Sequence, residues 1–94
     1  SDALAAQQGL TQQVQVLSDM HATQAERARL SRLRYDSGAA RFFEVLDAER
    51  DLLATAQQLA QTRRALLSSR VALYAALGGG ASTTPVSRNP SATP

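Results

Sequence analysis

The feature that most restricts the fold of this 94-residue chain is an apolar repeat of seven residues in its second half. Val45, Leu52, Leu59, Leu66 and Leu73 recur at this interval without interruption. Such a repeat keeps an apolar stripe on one side of an α-helix and predicts left-handed coiling around its neighbours. The surrounding segment, residues 42–77, contains neither Gly nor Pro. We therefore expect one long, uninterrupted helix.

A second apolar row runs beside the first with the same period. Its members are Leu46, Leu53, Ala60, Leu67 and Tyr74. Two adjacent rows make a stripe that is broader than a two-stranded seam requires. This helix is therefore expected to pack against more than one neighbour, supplied by other chains or by other parts of the protein.

The first segment, residues 2–35, has no Pro and a single Gly, and it is compatible with a second long helix. One face carries Leu10, Val14, Leu17, His21 and Ala28; a second face carries Val16, Met20 and Leu30. Two helices of about 35 residues would each be about 50 Å long and, joined by a short turn, must fold back on each other. In that turn Gly38 suits a left-handed conformation, and Asp36 or Ser37 can cap the backbone.

The predicted fold class is therefore all-α, a long antiparallel helical hairpin of the coiled-coil type. Its parts are a first long helix (1–35), a tip turn (36–41), a second long helix (42–77), and a Gly stop with a disordered tail (78–94). The tail is rich in Ser, Thr, Pro and Asn and has too few large apolar residues to offset its ordering entropy.

Composition excludes several kinds of chemistry. The chain has no Cys and one His, so thiolate sites and His-based metal clusters are not expected, and no cofactor is predicted. Ser18, Asp19 and His21 superficially resemble a nucleophilic triad. Neighbours on one helix cannot converge on a common reacting atom, so His21 is interpreted as a polar interruption of the helix seam and the chain as not an enzyme.

The charge pattern does not favour nucleic acid. All ten basic residues are Arg, and the net charge is only +2 because eight acidic residues accompany them. One basic run precedes the turn (Arg27, Arg29, Arg32, Arg34), and three more arginines lie on the second helix (Arg63, Arg64, Arg70). Mixed signs without interleaved aromatic residues weaken a phosphate-binding field. We expect a solvated, salt-bridged helix surface instead.

The turn region concentrates unusual residues. Both Phe residues and Tyr35 lie there, and apolar bulk at a helix tip suggests a docking surface. Glu44 and Asp47 share one helix face near the start of the second helix. The helix dipole stabilises carboxylates at this end of a helix, which would be a purely structural role. Alternatively, in symmetric copies, the two residues line an aperture with negative charge.

The stretch Arg34-Tyr35-Asp36-Ser37-Gly38-Ala39 is followed by Phe43-Glu44-Val45-Leu46-Asp47-Ala48-Glu49-Arg50, and the second helix ends in Leu73-Tyr74-Ala75-Ala76-Leu77-Gly78-Gly79-Gly80. These motifs, at this spacing, resemble the second repeat of the outer membrane efflux channel family of Gram-negative bacteria (TolC/OprM-like). The resemblance covers roughly residues 2–80. It implies a trimeric channel whose α-barrel crosses the periplasm, with this hairpin as one coiled-coil pair.

By the same resemblance, the turn is the periplasmic tip that docks the hairpin of a periplasmic adaptor, the membrane fusion protein of a tripartite export pump. Ser37, Gly38 and Ala39 match the small-residue motif that receives the adaptor. Residues matching the network that closes the channel are Tyr35, Arg41, Glu44 and Asp47. Neighbouring hairpins of the trimer are the other expected partners.

Two departures from the family pattern bear on these roles. Some members carry a gate-locking Arg two residues after the tip Gly, where this chain has Ala40 and then Arg41. The β-barrel segments and the first repeat are absent from the 94 residues, so we expect a fragment that forms no pore and does not itself insert in the membrane. A self-contained coiled-coil interaction module remains the alternative, because composition and heptads do not separate the two.

Overall fold

The computed structural model describes residues 2–79 and shows the predicted all-α hairpin. Helix α1 spans Asp2–Asp36, helix α2 spans Phe42–Tyr74, and a π-helical turn, Ala75–Gly79, follows. The predicted second helix ran to residue 77; the α-helical hydrogen bonding ends at Tyr74 and widens into the π-helical turn. The tail predicted to be disordered lies, from residue 80 onward, outside the described residues.

The residues of α2 that form the seam with α1 are spaced alternately three and four positions apart. The five-residue row predicted from the heptads lies in this seam, with Val45 fully buried and Leu59 and Leu66 at 6% and 7% exposure. From α1, Leu17 and Ala28 are buried, and Leu10, Val14 and His21 are half-buried. His21 therefore lies in the seam between apolar residues of α1, as predicted.

The second seam row of α2 consists of small residues and was not anticipated from the sequence. Ala48, Thr55 and Thr62 are buried, and Ser69 is half-buried. The Thr55 hydroxyl donates to the Asp51 carbonyl (3.0 Å) and the Thr62 hydroxyl to the Gln58 carbonyl (2.9 Å). Because these hydroxyls are satisfied within their own helix, the two threonines can be buried without an unpaired polar group.

The second apolar row of α2 faces solvent. Leu46, Leu53, Leu67 and Tyr74 are 52%, 60%, 58% and 78% exposed. On α1, the predicted second face (Val16, Met20, Leu30) is also exposed. The hairpin therefore uses one apolar row of each helix and leaves the other uncovered, while covering by further helices stays a prediction. Neither helix is long and apolar enough to cross a membrane, as judged over residues 2–79.

Candidate functional site at the hairpin tip

The tip turn is built on a glycine in a left-handed conformation. Gly38 has φ +82°; its N–H donates to the Tyr35 carbonyl (3.0 Å), and the Ala39 N–H donates to the Arg34 carbonyl (2.8 Å). These two bonds form the Schellman arrangement that ends many helices. A Cβ added at Gly38 would meet no atom within 4 Å. Gly is therefore required here by conformation and not by space, as the sequence predicted.

Arg34 connects both sides of the turn. Its carbonyl also accepts a hydrogen bond from the Ser37 hydroxyl (3.0 Å), which is the predicted capping role of that residue. Its guanidinium donates to the Ala39 carbonyl (3.3 Å) and lies 3.6 Å from a carboxylate oxygen of Glu44 on α2. The exposed segment Ser37-Gly38-Ala39 is thus held in one shape by backbone and side-chain contacts.

The aromatic residues of the tip divide into a packed pair and an exposed ring. The rings of Tyr35 and Phe42 lie 5.0 Å apart at a tilt of 57°, and the Arg32 guanidinium lies 5.9 Å from the centre of the Phe42 ring. Neighbouring aromatic rings are most stable when tilted or offset, and a cation is attracted to the face of a ring. Phe43 is 72% exposed. It supplies the apolar bulk that the sequence placed at the tip.

The predicted acidic pair is engaged in ion pairs within the hairpin. Asp47 accepts from Arg27 on α1 (3.0 Å) and from Arg50 on its own helix (2.8 Å). Arg27 also binds Asp51 at 2.8 Å. Hydrogen bonding to Asp51, and secondarily to Asp47, raises the pKa of Arg27 against the opposing effect of desolvation. Arg27 therefore bridges two carboxylates that lie one helical turn apart on α2.

Arg41 precedes α2 in an extended conformation (φ −83°, ψ 153°). Its carbonyl accepts the Glu44 N–H at 3.0 Å, while its side chain makes no capping hydrogen bond. Within residues 2–79 the Tyr35 ring contacts Phe42, and no hydrogen bond joins Tyr35 to Glu44 or Asp47. The structure therefore brings Glu44 and Asp47 to the arginines of α1, and leaves Tyr35 and Arg41 outside that ion-pair network.

The expectation of a salt-bridged surface is confirmed for the arginines before the turn. Arg32 pairs with Glu49 across the seam (3.1 Å), and Arg29 pairs with Glu26 along α1 (2.8 Å). Hydrogen bonding from Arg29 lowers the pKa of Glu26. The expectation is wrong for three arginines in the second half of α2, Arg63, Arg64 and Arg70, which make no ion pair with any described residue.

Sequence reasoning missed the ion pairs that join the two helices. Arg27, Arg32 and Arg34 flank the seam of α1, where they face acidic residues that flank the seam of α2. The heptad positions indicate which charged residues flank the seam. Pairing them across the seam also requires the register between the helices, which the turn sets. No group of three or more His, Cys, Asp or Glu residues that could hold a metal occurs in the described part of the chain.

Comparison with known proteins places this tip in a family. The sequence model for the outer membrane efflux protein family matches residues 1–79. The chain is 40% identical over 80 residues to two proteins of Pseudomonas putida, the probable efflux pump outer membrane protein SepC and the toluene efflux pump outer membrane protein TtgF. The identity is also 40% over 80 residues with the cation efflux system protein CusC of Escherichia coli.

These alignments cover 85% of this chain but only 17% or 18% of each relative. The chain therefore spans about a sixth of the length of the curated relatives that it matches. No solved structure matches it. The match extends through both helices and the turn, and it agrees with the motifs at Arg34–Ala39 and Phe43–Arg50. This helical hairpin therefore belongs to the outer membrane efflux protein family.

Proposed function

We propose that this hairpin is the periplasmic tip segment of an outer membrane efflux channel, and that its turn docks the hairpin of a periplasmic adaptor protein. The observation that carries the proposal is the ordered, exposed turn at Ser37-Gly38-Ala39. Small side chains allow a partner backbone to approach closely, and a turn already held by hydrogen bonds loses little conformational freedom on binding. Phe43, exposed beside the turn, adds apolar area for the same partner.

The second part of the proposal concerns gating by Tyr35, Arg41, Glu44 and Asp47. Glu44 and Asp47 bind arginines of α1, through side chains that are 49% and 32% exposed. Ion pairs at such positions contribute little net stability and can exchange partners in water. Adaptor binding would favour a splayed arrangement of neighbouring hairpins by binding that state more tightly. These carboxylates would then change partners at the entrance of the channel.

Docking is tested by cross-linking in cells. Ser37→Cys is placed in the full-length efflux protein that carries this hairpin, and a cysteine is placed at the tip of the co-expressed adaptor. We expect a disulfide at the tip and none from Ser68→Cys, an exposed position far along α2. The 94 residues contain no native cysteine, so this segment adds no background. An absent cross-link with both proteins folded would favour the self-contained coiled-coil module instead.

The need for small residues is tested at the turn itself. Both Gly38→Leu and Gly38→Ala require a residue with a side chain to adopt a φ of +82°, but only Leu adds bulk. We expect Gly38→Leu to abolish the cross-link and Gly38→Ala to retain most of it, with similar helix content in both. If Gly38→Leu docks normally, this turn is not the docking surface.

A further inference from the structure

One side chain of α1 contacts both the turn and the start of α2. The Arg34 guanidinium donates from Nη2 to the Ala39 carbonyl (3.3 Å), and the same nitrogen lies 3.6 Å from Oε1 of Glu44. Ala39 ends the small-residue segment of the turn, and Glu44 lies in the first turn of α2. Arg34 therefore connects the end of α1, the turn and the beginning of α2.

The Arg34 side chain supplies a hydrogen bond that the backbone does not. The Gly38 and Ala39 N–H groups and the Ser37 hydroxyl all donate to carbonyls of α1, so these bonds fix the turn against that helix. No backbone N–H of residues 2–79 donates to the exposed Ala39 carbonyl, which accepts from Arg34 instead. Small side chains let a partner approach the backbone closely. The direction of this carbonyl is therefore part of the surface that a partner meets.

Arg41, the basic residue on the other side of the turn, does not make such a contact. Its side chain has no capping hydrogen bond and no ion pair with any described residue. Its backbone contributes instead, because the Arg41 carbonyl accepts the Glu44 N–H (3.0 Å). Of the two arginines nearest the turn, Arg34 is thus the one whose guanidinium can control the shape of the turn.

We propose that Arg34 is a positioning residue for docking at the tip: its guanidinium orients the Ala39 carbonyl, and Glu44 holds the guanidinium in place. This inference rests on the docking function proposed above. A guanidinium suits the task because its planar group carries several N–H donors in fixed directions, so that one side chain serves a carbonyl and a carboxylate together. The compact ammonium of lysine has rotatable donors and does not fix both directions. Arg34 acts through the turn and not by touching the adaptor.

The exposure of this ion pair indicates a role in geometry and not in stability. The side chains of Arg34 and Glu44 are 55% and 49% exposed, and ion pairs at such positions contribute little to the free energy of unfolding. A loop that already has its bound shape, however, loses less conformational freedom when a partner binds. Removing the guanidinium should therefore weaken docking while leaving the hairpin folded.

Docking is measured as the rate of the tip cross-link in cells, with every variant built on Ser37→Cys in the full-length efflux protein. Arg34→Met keeps the aliphatic stem and removes all donors; it should form the cross-link about fivefold more slowly, as the loss of one hydrogen bond would give. Arg34→Lys should fall between Arg34→Met and the parent. Arg29→Met is the matched control, since Arg29 pairs with Glu26 along α1 and should leave the rate unchanged.

The shape of the turn is measured separately, by amide hydrogen exchange of the 94-residue chain without any adaptor. In Arg34→Met the Gly38 and Ala39 amides should exchange about fivefold faster, while the Leu59 amide in the middle of α2 and the helix content by circular dichroism stay unchanged.

The two measurements separate this inference from the docking function on which it rests. If the parent forms the cross-link and Arg34→Met forms it at the same rate, the positioning role is wrong and docking stands. If the parent forms none, both are wrong. A slower cross-link without faster exchange would mean that Arg34 touches the adaptor itself, and an equal loss in Arg29→Met would mean a general effect of charge; either result overturns the positioning role.

Discussion

Both halves of the hairpin have a buried apolar seam, but they differ in the ion pairs that flank it. In the tip half (residues 24–55), four ion pairs join α1 to α2: those from Arg27 to Asp47 and Asp51, from Arg32 to Glu49, and from Arg34 to Glu44. In the open half (residues 2–23 and 56–79), no ion pair joins the described residues of the two helices. Buried Leu17, Leu59 and Leu66 hold this half together, as Ala28, Val45 and Ala48 do in the tip half.

This difference gives the tip half a set of contacts between the helices that can change partners without opening the seam. Exposed ion pairs exchange readily with water and with other charges, because each contributes little net free energy. A leucine withdrawn from the seam exposes apolar area to water, and no alternative partner in solution compensates. In the tip half, which carries the candidate site, the flanking ion pairs can therefore change at small cost, while the seam with the fully buried Val45 stays closed.

The largest expected effect tests the seam of the open half. Leu66→Ala should lower the free energy of unfolding by about 2–5 kcal/mol, because Leu66 is 7% exposed and its truncation leaves a cavity. Leu67→Ala, one residue further on and 58% exposed, should change it by less than about 0.5 kcal/mol. Urea unfolding followed by circular dichroism measures both. Equal losses would mean that the second apolar row shares the seam in solution.

Smaller effects, of opposite sign to each other, are expected when one glycine in each half is replaced by alanine. Gly38→Ala should destabilise the chain by about 1–2 kcal/mol, because a φ of +82° is unfavourable for alanine. Gly9→Ala, within helix α1, should stabilise it by about 0.5–1 kcal/mol through the higher helix propensity of alanine. Neither added Cβ meets an atom within 4 Å, so packing does not contribute. Thermal unfolding should show shifts in opposite directions; a stabilising Gly38→Ala would contradict the left-handed turn.

The smallest effect tests the ion pairs of the tip half. Arg27→Gln removes the residue that bridges Asp47 and Asp51, and it should lower the urea midpoint at low salt by less than Gly38→Ala does. The difference from the parent chain should fade in 1 M NaCl, where the screening length is about 3 Å. Arg64→Gln is the matched control, since Arg64 has no ion pair within residues 2–79. A salt-independent loss in Arg27→Gln would mean that its aliphatic stem stabilises the helices by packing.

Much of the fold could be predicted because local features of the sequence specify it. The heptad row from Val45 to Leu73, the absence of breakers in each long segment, and Gly38 in the turn lead directly to an antiparallel hairpin. The left-handed conformation of Gly38 and the capping hydroxyl of Ser37 followed from the backbone chemistry of a helix end. These features depend on residues close together in the chain, and the sequence shows such residues directly.

The candidate site was predictable as a place but not as a set of contacts. The motif around Gly38 located the tip, and the acidic residues near it were recognised. Their partners were not, because Asp47 finds Arg27 twenty residues earlier, across a register that the turn sets. Because the register was unknown, the sequence also did not show that Arg63 and Arg70, in the open half, have no ion pair within residues 2–79.

By itself, then, the sequence determined two long helices, the turn that joins them and the motifs that resemble the outer membrane efflux protein family. Tertiary structure alone decided which of two adjacent apolar rows of α2 enters the seam. Leu66 and Leu67 are equally apolar and lie about 100° apart around the helix, so local preference does not choose between them. The choice follows from the side chains beside each row on α2. The small row of Ala48, Thr55 and Thr62 lets α1 approach on the side of Leu66, so that Leu67 stays 58% exposed.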